Sequence, residues 1–223
     1  VKRPYFVTHL VKDIRLEWRS KDAINSMLFF ALLVVVLFSL AFDPTRESSR
    51  QIAGGILCVA TMFASVSALN QAWARELRHQ VLDAQRMTPT PANSLFLGKV
   101  LSNFLFVSVV ELILTPVFIV FYNLHALGNG WLLALVLPLG TWALVVNGTF
   151  FAALSIRTRN RELLLPLLLF PLFIPALLGM VLAASYILTG EQDPGVWIKF
   201  LAGYDVIFTT ICLLLFEIIL HAE

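Results

Sequence analysis

Charge is scarce in this sequence. Asp, Glu, Lys and Arg make up 13% of its 223 residues, about half of the roughly 25% found in a soluble globular domain. Its hydrophobic share is 59% and its mean hydropathy +0.84. A chain so poor in charge cannot cover a folded surface with groups that hold water, so the surplus apolar residues must face lipid. That excludes a nucleic-acid-binding module, a secreted disulfide scaffold and a disordered chain. Cysteine is scarce too. Cys58 and Cys212 both lie in long apolar runs, where they read as small buried hydrophobes rather than as a disulfide or metal ligands. Catalytic signatures are missing: no G-x-x-x-x-G-K-[ST] phosphate loop, no H-E-x-x-H, no G-x-S-x-G and no acidic cluster on one apolar run. The sequence lacks a C-x-x-C-H haem-attachment motif, and His9, His79, His125 and His221 are its only histidines, so no haem ligand is assigned.

What is present is a set of long apolar runs, uncharged except for Glu111 in the third and Asp205 and Glu217 in the sixth. Crossing a hydrocarbon core of about 30 Å takes about 20 mainly apolar residues. Six stretches qualify, at about 23–42, 51–73, 100–122, 131–154, 163–189 and 200–220. The break between the third and fourth is Asn123–Gly130, rich in Asn and Gly. The chain therefore reads as an all-α integral membrane protein, one transmembrane domain over residues 1–223. Residues 1–22 are charged and amphipathic, which does not fit a cleavable signal peptide. No internal repeat relates 1–123 to 124–223, which speaks against a carrier built from repeats.

The few charges are unevenly placed. With the N-terminus inside, thirteen of the sixteen Lys and Arg fall on the cytoplasmic side, and only Arg46, Arg50 and Lys199 fall outside. The positive-inside rule then puts both termini in the cytoplasm. The outer loops, about 43–50, 123–130 and 190–199, are too short to fold into a domain. An energy source must come from a partner or a gradient.

Two charged segments carry information. Near the N-terminus, Val7, Leu10, Val11, Ile14 and Trp18 recur at helical spacing, with Lys12, Arg15, Glu17 and Arg19 largely on the other faces. This predicts a basic amphipathic helix lying in the membrane interface. At 74–91, Leu77, Val81 and Ala84 share one face of a short charged helix that the Thr88-Pro89-Thr90-Pro91 run must stop. Gly98 and Lys99 follow, and then the third apolar run. Such a segment projects from the membrane as a solvated loop helix or as a docking element.

Within the spans, Glu111 lies near mid-bilayer, where an ionisable group faces protein or water more often than lipid. A hydrogen-bonded carboxyl at a helix interface is the plainer expectation, and a part in conformational exchange the other. Asp205 and Glu217 sit toward the ends of the last run and need no special role. Pro166, Pro171 and Pro175 each remove a backbone hydrogen bond from the fifth span. The result is a static kink or a helix that flexes.

These residues carry a resemblance. Arg75-Glu76, Val81-Leu82-Asp83, Thr88-Pro89 and Gly98-Lys99 resemble the loop between spans two and three of type-2 ABC exporter permeases. Arg157–Arg161 followed by the proline-bearing run Leu163–Leu177 is similar to the CcmB (haem exporter protein B) family of cytochrome c maturation. The resemblance covers the whole chain and implies the type-2 ABC permease fold. It makes residues 74–91 a coupling helix that docks an ATPase, with Leu77, Val81 and Leu82 as apolar contacts and Arg75, Glu76, Arg78 and Asp83 setting register, ahead of the Pro89 stop. It also implies a homodimeric permease in the bacterial inner membrane, joined to a CcmA-like ATPase that binds ATP and Mg. Further partners would be a CcmC-like haem-handling protein, a CcmD-like helper and a CcmE-like haem chaperone. Haem is then the cargo of the complex, passed through the subunit or released on the loaded chaperone, and this chain holds no cofactor of its own. A type-2 permease for another lipid-like or drug-like substrate, a membrane enzyme and a scaffold are the alternatives.

Overall fold

The structure is a computed structural model that describes residues 5–42, 47–72, 91–122, 129–155 and 161–221. Among the described residues there are seven α-helices: α1 (Tyr5–Ser20), α2 (Asp22–Ala41), α3 (Glu47–Ala72), α4 (Ala92–Phe121), α5 (Leu133–Ser155), α6 (Arg161–Thr189) and α7 (Gly195–His221). A 3-10 turn, Gly130–Leu132, leads into α5. Helices α2 to α7 are long and apolar enough to cross a membrane. The all-α membrane architecture expected from the apolar runs is what the chain adopts.

The two central helices are α3 and α5. Of their most apolar stretches, 67% and 61% are buried, against 28% in α2, α4 and α7. Helix α3 packs against α2, α4, α5 and α6, and α5 packs against α3, α4, α6 and α7. Small residues permit this, because lipid gives apolar side chains no reason to associate and close backbone contact must supply the attraction. A Cβ on Gly54 of α3 would lie 2.8 Å from the backbone nitrogen of Ser185 in α6. A Cβ on Gly148 of α5 would run into the Leu69 side chain of α3. Ala143, Ala152 and Ala153 are buried along α5 as well.

Hydrogen bonds between helices supplement this packing. Ser26 and Ser67 join α2 to α3 at 2.8 Å, and Asn103 donates to Thr149 across α4 and α5 at 3.2 Å. Trp142 Nε1 donates to Thr209 across α5 and α7 at 3.0 Å. Each such bond is worth on average about 0.6 kcal/mol in a membrane, so together they fix register more than they supply stability.

Helix starts differ from expectation in three places, the first being α3, which begins at Glu47 inside the stretch 43–50 expected to be an outer loop. The third span was expected to begin at about 100, after Gly98 and Lys99, but α4 starts at Ala92 and takes both residues into its body. At 1.5 Å per residue its 30 residues span about 45 Å, so α4 extends past a 30 Å core. The last span was expected from about 200, but α7 starts at Gly195, whose N–H bonds to Asp193 Oδ1 at 3.0 Å. Elsewhere the local signals hold. Helix α6 ends where Gly190 takes a left-handed φ of 70°, with its N–H on the carbonyl of Tyr186 at 2.9 Å.

Candidate functional site

The polar residues that the apolar spans can least accommodate gather in three places. The first is a junction of four helices. Asp13 on α1 is buried, and Lys99 Nζ on α4 lies 3.0 Å from its Oδ2. Ser102 Oγ is 3.3 Å from the same carboxylate oxygen and also donates to the carbonyl of Gly98 at 2.7 Å. The close fit of α1 on α4 comes from Gly98: a Cβ there would stand 2.7 Å from His9 Cβ.

Glu17, one helical turn beyond Asp13, is 2% exposed. Its Oε1 accepts from the N–H of Ala23 at 2.8 Å and of Ile24 at 3.0 Å. These are free donors in the first turn of α2, and the residue at the N-cap position, Lys21, makes no side-chain cap. Glu17 therefore does from the preceding helix what an N-cap side chain does locally, and its charge suits the positive end of α2. Lys21 itself adopts a left-handed φ of 57°, which turns the chain sharply from α1 into α2. A cavity of about 50 Å³ at this junction is lined by Asp13, Glu17 and Lys99, together with Gln71 near the end of α3. It has room for a water or two, at about 30 Å³ each.

The second place surrounds Glu111. Counted back from the end of α4 at Phe121, it lies about 15 Å deep. The Thr141 hydroxyl of α5 donates to Glu111 Oε1 at 2.5 Å, and the Thr115 hydroxyl donates to its backbone carbonyl at 2.7 Å. The carboxyl is thus hydrogen-bonded at a helix interface. It also lines an open groove of about 700 Å³ between α4 and α5, whose other walls include Leu112, Pro116, Leu133 and Pro138.

The third place is a relay among α5, α6 and α7. Tyr204 OH donates to the carbonyl of Leu172 at 2.9 Å, and Asn147 Nδ2 donates to Tyr204 OH at 3.2 Å and to the carbonyl of Ala143 at 2.9 Å. Leu172 lies between Pro171 and Pro175, and α6 passes through Pro166, Pro171 and Pro175 as one unbroken helix. Asp205, next to Tyr204, departs from expectation. Read as a residue near an interface, it is buried, and neither carboxylate oxygen has a hydrogen-bond partner.

The expected docking residues Arg75, Glu76, Leu77, Arg78, Val81, Leu82, Asp83 and Pro89 lie outside the described residues. Their chain neighbours are described: α3 ends at Ala72 and α4 begins at Ala92, so the segment between them joins two walls of the α1 junction. Asp13 and Ser102 carry no mark of their own in the sequence, and Lys99 stands out there only as part of the Gly98-Lys99 pair ahead of the third apolar run. The helical spacing of Asp13 and Glu17, four apart on a basic helix, was the available signal. Cys58 and Cys212 are both buried free thiols. Among the described residues, no group of three His, Cys, Asp or Glu side chains comes together as a metal site would need.

Known proteins resemble this chain. The heme exporter protein B of Rhodobacter capsulatus is 34% identical over 169 residues, covering 76% of this chain and 77% of that one. The heme exporter protein B of Paracoccus denitrificans is 31% identical over 196 residues, 87% of this chain and 88% of its own. That of Escherichia coli K12 is 30% identical over 103 residues, 46% of this chain and 47% of its own. The family described as CcmB protein matches residues 5–219, and with nearly the whole length accounted for, the chain belongs to the CcmB family.

Proposed function

We propose that this chain is the membrane-spanning permease subunit of an ABC transporter complex for haem export in cytochrome c biogenesis. Membership of the CcmB family across residues 5–219 carries the reading, and the names of its relatives state the cargo. ATP is hydrolysed in a separate, CcmA-like subunit, and two copies of this chain form the permease core in the bacterial inner membrane with both termini cytoplasmic. CcmC-like, CcmD-like and CcmE-like proteins complete the assembly, and the work done is the ATP-driven release of haem or of its loaded chaperone.

The mechanism is mechanical. Residues 74–91 form a coupling helix that docks the ATPase through Leu77, Val81 and Leu82, with Arg75, Glu76, Arg78 and Asp83 setting register and Pro89 ending the helix. What supports this is the junction on either side of the segment. Gln71 and Lys99 meet α1 and the start of α2 around one cavity, so a displacement of 74–91 reaches four helices together. Pro166, Pro171 and Pro175 give α6 the missing backbone bonds with which it yields to that displacement. The test is co-purification from membranes in mild detergent. The wild-type chain retains the ATPase subunit. A chain with Arg75→Glu and Glu76→Arg inserts normally and loses it. Retention of a fully active ATPase by that variant contradicts the docking assignment.

A further inference from the structure

The charged side chains of α1 are sorted by sign. Asp13 and Glu17 turn into the bundle, where Lys99 and the first N–H groups of α2 receive them. Arg15 and Arg19 are exposed on the outer side, Lys12 is partly exposed beside Asp13 at 3.4 Å, and Lys21 at the break is exposed as well. Among these cations stand two exposed apolar side chains, Trp18 at 77% and Leu16 at 45%. Within the described residues from Tyr5 to Asp22, the only exposed acid is Asp22 itself. In the sequence, acids and bases of this segment nearly cancel; folding removes the acids from the surface and leaves a cationic, aromatic-bearing face.

We propose that this outer face of α1 binds the headgroups of anionic phospholipids. A single residue, Lys21, separates α1 from the spanning helix α2, so α1 cannot leave the membrane surface. At that depth an exposed indole sits among headgroups, and Lys and Arg stems lie along apolar surface with their charges toward phosphate. The carboxylates of Asp13 and Glu17 are committed inward, so from Tyr5 to Lys21 the charge this face offers is positive. Phosphatidylglycerol and cardiolipin match it, and a zwitterionic lipid matches it poorly. The affinity gained is on the order of fivefold per cation near the surface.

The experiment is lipid retention by the full chain in nanodiscs made of phosphatidylglycerol and phosphatidylcholine, read by native mass spectrometry after release into detergent. Wild-type protein retains phosphatidylglycerol preferentially, and the preference shrinks as salt rises. Lys12→Gln with Arg15→Gln and Arg19→Gln lowers the preference by roughly tenfold or more. The charge-keeping set Lys12→Arg, Arg15→Lys and Arg19→Lys preserves it. Equal retention of the two lipids by the wild-type chain overturns the proposal even if the neutral variant fails to insert. An unchanged preference in the neutral variant overturns it too. So does loss of a co-purifying protein from that variant with lipid retention intact, which would assign the face to a protein partner.

Discussion

Lys99 on α4 and Asp13 on α1 meet at 3.0 Å, each almost entirely buried, so the helix that lies ahead of the first span is tied by charge to the start of the third. Removing one partner leaves an unbalanced charge in a low-dielectric site, which costs about 3–5 kcal/mol when a buried pair is broken. Asp13→Asn and Lys99→Met are each expected to lower the unfolding midpoint in detergent sharply. The reversed pair, Asp13→Lys with Lys99→Asp, recovers part of the loss. A double-mutant cycle with no coupling between the two positions would show that they do not act on each other.

The carboxylate of Glu17 closes the first turn of α2 from outside that helix. Glu17→Ala is expected to cost about 1 kcal/mol, the usual worth of a helix cap, because two backbone donors lose their acceptor. Glu17→Gln keeps an acceptor oxygen and costs less. Amide hydrogen exchange at Ala23 and Ile24 is the measurement, with faster exchange in the alanine variant than in the glutamine variant.

How much of this was legible in the sequence depends on whether a residue's partner was near it in the chain. The six spans follow from apolar length, even where Glu111, Asp205 and Glu217 interrupt it, since hydrocarbon admits little besides helices. The end of α6 follows from where the fifth apolar run stops, at about 189, and Gly190 closes the helix there in a left-handed conformation. By sequence Lys99 reads as lying before the membrane, because a charge ahead of an apolar run marks its edge. Its neutralising carboxylate lies on another helix, and no local pattern announces that. The same reason hid the inward turn of Asp13 and Glu17: a periodicity of apolar residues finds the lipid face of α1, and says nothing of which charges have partners across the junction. Asp205 stands near the start of an apolar run read from about 200, but α7 begins earlier, at Gly195, and buries its carboxyl against neighbouring helices that no local pattern shows. The docking segment 74–91 rests on residue types and resemblance, and its residues 74–90 lie outside the described residues.

Close packing at Gly54 is the next test. Its missing Cβ leaves room for the backbone of α6, and backbone cannot step aside as the end of a side chain can. Gly54→Ala is expected to separate α3 from α6 and destabilise the fold by about 1–3 kcal/mol, the usual cost of overpacking. Gly203→Ala, inside α7 where a Cβ meets nothing within 4 Å, serves as the control and holds or raises stability, since alanine is the better helix former. Thermal unfolding of both in one detergent makes the comparison, and equal midpoints would contradict the α3–α6 contact.

At Glu111 the identity of the acceptor matters more than its charge. Glu111→Gln keeps an oxygen for the Thr141 hydroxyl and should change stability little. Glu111→Ala leaves that buried hydroxyl without a partner, at a cost of about 1–3 kcal/mol. Unfolding in detergent separates the two variants. If the glutamine variant is as unstable as the alanine variant, the carboxylate itself is what the site requires.

The central claim is that the motor lies in another subunit and acts through the segment between α3 and α4. The most direct measurement is the yield of c-type cytochrome in cells whose own copy of this gene is replaced by a plasmid-borne one. The ATPase partner is either intact or carries an inactive phosphate loop. The account predicts full maturation with the intact pair. It predicts loss of maturation when either the phosphate loop or the Arg75–Glu76 pair is altered, with this chain still abundant in the membrane. Cytochrome matured normally beside an ATPase that cannot hydrolyse ATP would contradict it.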